Sequence, residues 1–107
     1  MSKKKDKPEK SAAATAASDS AAMQAISRAL SDPRRVEVLR MIANSESASC
    51  MDLRTSMTMN PATLSHHMKQ LETAGLIETR RDGRLVRATL RRKTWKIYLA
   101  HLKSFTA

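Results

Sequence analysis

The chain has one cysteine, Cys50, two glycines, Gly75 and Gly83, and three aromatic residues in 107. A single thiol rules out an internal disulfide. Two isolated glycines cannot build the glycine-rich loop that cradles a nucleotide phosphate. No apolar run approaches the roughly 20 residues of a membrane span, and the N-terminus lacks the apolar centre of a secretory signal. No nucleophile, base and acid stand at a spacing that suggests catalysis, so an enzyme is the weakest reading. Acidic residues are scarce too: ten against twenty basic ones, for a net charge of +10. The expected location is the cytoplasm of a cell without a nucleus, although Lys3-Lys4-Lys5 can also be read as a nuclear signal.

Where the charge lies is more informative than its total. Residues 1–19 hold five lysines and three acids, which leaves +8 for residues 20–107. From Arg80 to Lys103 there are nine basic residues and one acid, Asp82. A merely soluble surface would mix the signs. A membrane-surface protein would concentrate such charge on an amphipathic helix with a broad apolar face, and much of it here lies on a predicted hairpin. A one-sided basic surface is the electrostatic footprint of a nucleic-acid binder.

The length suits one domain. Residues 1–18 are lysine-, alanine- and serine-rich with nothing to form a core, and are expected to be a disordered basic tail. The domain is expected over 19–105. Ala22, Ala25, Ile26, Ala29 and Leu30 have helical spacing. Asp32 then caps a second helix with Pro33 in its first turn. Val36, Leu39 and Ile42, with Val38 and Met41 beside them, form its buried side, and its end is expected near Asn44. Residues 45–48 read as loop. Ser49 and Asp52 have the spacing of a capping box opening a third helix that runs to about Met57.

Residues 60–90 carry the chemistry. Asn60 is a cap and Pro61 suits the first helical position. Leu64, Met68 and Leu71 recur at i, i+4 and i+7 as an apolar stripe. Thr63, Ser65, His66, Lys69 and Gln70 lie off that stripe, and with Asn60 they are the candidate contacts to base edges and phosphates. Gly75 ends the helix. Two short strands follow, with Asp82-Gly83 read as a type I′ turn. Arg80, Arg81, Arg84 and Arg87 flank it as candidate phosphate contacts, Arg87 being the ambiguous one because it alternates with Val86 and Ala88. The pattern is mainly α with one hairpin: a winged helix-turn-helix.

Other residues have simpler readings. His66 and His67 point about 100° apart on a helix and cannot chelate one ion together. His67 leans toward the protein. Cys50 reads as a small buried apolar residue, and Met41, Met51, Met57, Met59 and Met68 as core. Arg34 and Arg35 sit in a helix's first turn, against its dipole, which suits a phosphate or an acidic partner. The aromatics Trp95, Tyr98 and Phe105 cluster in the last thirteen residues. Trp95, Tyr98, Leu99 and Leu102 stripe a final helix over about 93–104. With Ile26 and Leu30 of the first helix they are the candidate homodimer interface.

The order of these segments resembles the ArsR/SmtB-type winged-helix repressors of bacteria, over about residues 20–103. The resemblance rests on the run Ala29–Leu39, on Asp52-Leu53, on Leu64–Leu71, on Ala74–Ile77 and on the Arg/Asp/Gly hairpin. It implies a homodimer paired through its first and last helices, with four helices, a two-stranded hairpin and a fifth helix in chain order. It also implies repression by promoter occupancy and release by an inducer. The chain departs from the family's metal sensors. Their Cys-x-Cys pair before the Asp-Leu is replaced by Ser49 and Met51 around Cys50. The last segment offers only His101 for a zinc site, and thiol-switch members need two cysteines. No metal or cofactor is therefore expected.

The function expected is a homodimeric, sequence-specific regulator of double-stranded DNA, most simply a repressor on a palindromic operator. No membrane partner is expected. The inducer, small molecule or protein, is left open. The alternative is a winged-helix interaction or architectural module with little sequence choice.

Overall fold

The computed structural model describes residues 20–107. The expected tail over 1–18 and the domain's first residue, 19, lie outside the described residues. Helix α1 covers 20–29, α2 Pro33–Ala43, α3 Cys50–Met57, α4 Pro61–Thr73 and α5 Arg92–Lys103, with a 3-10 turn at Ser104–Thr106. Strands β1 (Ala48–Ser49), β2 (Ile77–Asp82) and β3 (Leu85–Leu90) form an antiparallel sheet in the order β1-β3-β2. This is the expected winged helix-turn-helix with one addition. Part of the segment read as loop is β1, pairing Ala48 with Ala88 and Ser49 with Arg87. Two residues carry no periodicity, so the strand exists only because β3 offers its edge. No helix among the described residues is long and apolar enough to cross a membrane.

Local chemistry sets the helix ends. Asp32 Oδ1 accepts the amide hydrogens of Arg34 at 2.9 Å and Arg35 at 3.4 Å. Ser49 Oγ accepts from Asp52 at 3.1 Å, and Asn60 Oδ1 from Ala62 at 2.8 Å. Each satisfies an amide that a helix start leaves free. Gly75 closes α4 with φ +82°, while the amides of Gly75 and Leu76 donate to the carbonyls of Glu72 and Leu71. That pair of bonds is a Schellman cap. Thr58, between α3 and α4, is the one non-glycine residue with positive φ among those described, at φ 51° and ψ 48°. A β-branched residue there is strained by about 1–2 kcal/mol.

The hairpin differs from expectation at its tip. Asp82 pairs with Leu85 as the last rung of the ladder, so the two linking residues are Gly83 and Arg84. Positive φ is confined to Gly83, at +65°. A type I′ turn needs it at both linking residues, whereas type II′ needs it at the first alone. The glycine serves the turn, and Asp82 belongs to the strand.

The core gathers one face of each of the five helices and three strands. Ile26, Val38, Ile42, Leu53, Leu71, Leu76 and Ile77 are the largest fully buried side chains. Ala48 and Ala88, a cross-strand pair, close it from the sheet. Fully burying a side chain such as Leu71 contributes about 1.5–3 kcal/mol. Two expected core residues face outward instead: Val36 on α2 and Met51 on α3. On α2 the buried row is Val38, Leu39 and Ile42, so the inner face is turned a small fraction of a turn away from Val36.

His67 is, with Ser49, a polar residue buried in this packing, only 6% exposed on the inner side of α4. Its Nδ1 is buried without a hydrogen-bond partner. Desolvation pushes its pKa below the ordinary histidine value, opposed by the Asp32 carboxylate and assisted by Arg35, His66 and Arg34. A folded pKa below the unfolded one means that the unfolded chain binds the extra proton between the two values. Stability is then complete above the unfolded value, about 6.5, and is lost as pH falls below it. The thermal midpoint should drop on going from pH 7.5 to 5.5, and His67→Leu should flatten that slope. An unchanged slope in the variant would refute the assignment.

Candidate nucleic-acid interface

Helix α4 separates its two duties by face. Leu64, His67, Met68 and Leu71 are buried. Asn60, Thr63, Ser65, His66, Lys69 and Gln70 are all exposed. The stripe that seats the helix therefore leaves a continuous polar and basic surface, free to meet a partner. Asn60 contributes less than the others, because its Oδ1 is committed to the Ala62 amide.

The wing stands beside this helix. Ile77 pairs with Leu90 at its base and Asp82 with Leu85 at its tip. Alternation sends Ile77 and Ala88 to the core and puts Arg80, Asp82 and Arg87 on the other face. Thr79 Oγ1 donates to Glu72 Oε2 at 2.9 Å, which ties the wing to the last turn of α4. At the wing's base the Arg91 amide donates to the Leu76 carbonyl at 2.8 Å. Arg80, Arg81 and Arg84 are exposed. Arg87 is half-buried, and its Nε donates to Asp82 Oδ2 at 3.2 Å. Ser47, Glu78, Arg80, Asp82 and Arg87 share an open groove of about 450 Å³.

The two arginines at the start of α2 part company. Arg34 is exposed. Arg35 is turned inward, where Nη1 donates to the Ala29 carbonyl at 3.1 Å and Nη2 lies 3.7 Å from Asp32 Oδ2. It completes the end of α1 and so is engaged within its own chain. Desolvation works to raise the Asp32 pKa, yet the two cap bonds, His67 and Arg35 hold it below the ordinary carboxylate value. Arg92 makes a contact that the sequence does not reveal: its Nη2 donates to the Ala43 carbonyl at the end of α2, 3.2 Å away. A partner 49 residues distant leaves no local signal.

The expected subunit interface is divided. Ile26 is 0% exposed within a single chain, and Tyr98 only 6%. Tyr98 is fixed by its hydroxyl, which shares a 3.0 Å hydrogen bond with Ser27 Oγ. Ile26 is a core residue, since no part of its surface is left for a second chain. Leu30 and Trp95 are partly buried against the core. Leu99 and Leu102 are exposed, 45% and 38%, as are Ile97 and Phe105, which lie outside the expected stripe.

Cys50 is half-buried, and its Sγ lies 3.4 Å from Met68 Sδ across α3 and α4. Desolvation raises its thiol pKa against the pull of Arg54, which makes it a poor thiolate. Among the described residues, no three His, Cys, Asp or Glu side chains are grouped to hold a metal ion.

The model of bacterial regulatory proteins of the arsR family matches residues 32–79, from the α2 cap into β2. The HTH-type transcriptional regulator YceK of Bacillus subtilis is 35% identical over 75 residues, 69% of this chain and 75% of that protein. The arsenical resistance operon repressor of Staphylococcus xylosus is 39% identical over 61 residues, 57% of this chain. The match spans 58% of that repressor's length. Among solved structures, the homodimeric winged helix-turn-helix DNA-binding domain of Mb0332 from Mycobacterium bovis superposes with a TM-score of 0.70. That likeness covers 82% of each chain at 22% identity, which speaks for the fold. By its match to YceK over most of both proteins, and by the family model on its helix-turn-helix, the chain belongs to the ArsR family of bacterial regulatory proteins.

Proposed function

We propose that the protein is a homodimeric transcriptional repressor that occupies a palindromic operator in double-stranded DNA. The observation that carries this reading is the division of α4. Thr63, Ser65, His66, Lys69 and Gln70 are exposed in a row, while Leu64, Met68 and Leu71 hold the helix in the core. Each subunit inserts that row into a major groove, with half-sites about one helical turn apart. Ser65, Thr63, His66 and Gln70 read base edges. Lys69, with Arg80, Arg81 and Arg84 of the wing, meets phosphates, which supply most of the affinity. The relatives support the role: one is a repressor of an arsenical resistance operon, and the M. bovis domain is described as homodimeric and DNA-binding.

The subunits pair through α5. Leu99 and Leu102 leave an apolar surface that a single chain does not cover, with Trp95 at its edge. Release does not depend on the soft metals that the family's Cys-x-Cys sensors bind. Cys50 stands between Ser49 and Met51, its nearest sulfur neighbour is the thioether of Met68, and its thiol resists deprotonation.

Gel shifts over a range of salt concentrations test the DNA reading. Arg84→Ala should weaken every duplex alike and flatten the log–log salt slope by roughly 0.9 for the phosphate it no longer neutralises. Ser65→Ala or His66→Ala should instead narrow the gap between operator and random duplex by about 1–3 kcal/mol for each base edge no longer read. An unchanged slope in Arg84→Ala removes the wing from the interface. Equal binding of upstream and random DNA by the unaltered protein would favour an architectural role. For the dimer, Leu99→Asp with Leu102→Asp should yield monomers in sedimentation and cut operator affinity at least about tenfold. Monomeric unaltered protein would end this part of the reading.

A further inference from the structure

Asp82 is the one acid among the ten charged residues from Arg80 to Lys103, and its place in the wing is not explained by the turn. An Asp-Gly pair ordinarily serves a hairpin as its two linking residues. Here Asp82 is a strand residue paired with Leu85, and Gly83 alone takes the left-handed conformation. The carboxylate is therefore released from turn chemistry, and it engages Arg87, whose Nε donates to Oδ2 at 3.2 Å. Arg87 faces Arg80 directly across the ladder, where two like charges repel. Asp82 thus neutralises one arginine of the pair and leaves Arg80, Arg81 and Arg84 free.

We propose that Asp82 is a specificity-determining residue of the DNA interface, holding Arg87 back from any duplex that α4 has not seated. The inference rests on the reading that the wing contacts duplex. A random duplex meets a wing with three available guanidiniums and a carboxylate that repels phosphate. Such a duplex gains little from Arg87. An operator that accepts α4 in its groove holds a phosphate against the wing long enough to take Arg87 from Asp82. The ion pair is solvent-exposed, with side chains 37% and 67% accessible, and pairs of that kind are weak enough to exchange. The acid lowers affinity for all DNA but lowers it more for the wrong DNA, which is how repulsion produces discrimination.

The test compares Asp82→Asn, Arg87→Ala and the double variant with the unaltered full chain. Each is titrated against a random duplex and against the duplex that the unaltered protein enriches from a random pool. Asp82→Asn should bind random duplex about three- to tenfold more tightly, with a salt slope steeper by roughly 0.9 for the phosphate that Arg87 then reaches. Its affinity for the enriched duplex should rise by less, so the ratio between the two falls. In the Arg87→Ala background, Asp82→Asn should change random binding by less than about twofold, since its partner is gone. An equal gain with and without Arg87 overturns the proposal, because the carboxylate would then act by bulk charge alone. No gain from Asp82→Asn, with normal binding by the unaltered chain, also overturns it and leaves the DNA reading intact. If the unaltered chain binds no duplex at all, both fall.

Discussion

The seating of α4 is the contact on which the remaining architecture depends. Leu64, Met68 and Leu71 lock this helix into a core shared with α2, α3 and the sheet, and their spacing determines which side chains point away. A helix with its apolar stripe displaced by one residue would turn by about 100° and bury part of the polar row instead. The caps at Asn60 and Gly75 then fix its length, so that the polar row ends where the wing begins. The wing takes its bearing from the same helix, through Leu76 at its base and the Glu72–Thr79 hydrogen bond along its edge. Polar row and wing are two projections of one packed unit.

Much of this is legible in the residues alone. Helix starts at Asp32, Ser49 and Asn60 are readable because a short oxygen-bearing side chain followed by proline or an acid is a local signal with a local cause. The polar row of α4 is readable because periodicity and burial are the same fact seen twice. Illegible features have distant causes. Strand β1 is two residues long and exists through its pairing with β3. Arg92 reaches a carbonyl on another helix. Val36 and Met51 are apolar residues at helical spacing, yet the angle at which α2 and α3 meet the core leaves them outside.

The terminal helix shows the same limit in another form. A stripe of Trp95, Tyr98, Leu99 and Leu102 identifies an apolar face without saying whose core it joins. The structure divides it: Tyr98 turns inward to Ser27, while Leu99 and Leu102 stay at the surface. One helix thereby stabilises its own domain with one edge and leaves the other uncovered. Ile26, read as part of a subunit interface, belongs wholly to the inner side. The division has a simple physical origin, since a domain this small cannot surround an amphipathic helix and must leave part of it uncovered.

Thr58 joins the two helices of the motif. The backbone there adopts a left-handed geometry that a β-branched side chain resists, and a Schellman cap holds it: the Thr58 and Met59 amides donate to the carbonyls of Thr55 and Arg54. The corner is therefore closed in the way that Gly75 closes α4, with threonine standing where glycine would sit without cost. The bend between the two helices thus carries a built-in strain that its own hydrogen bonds offset.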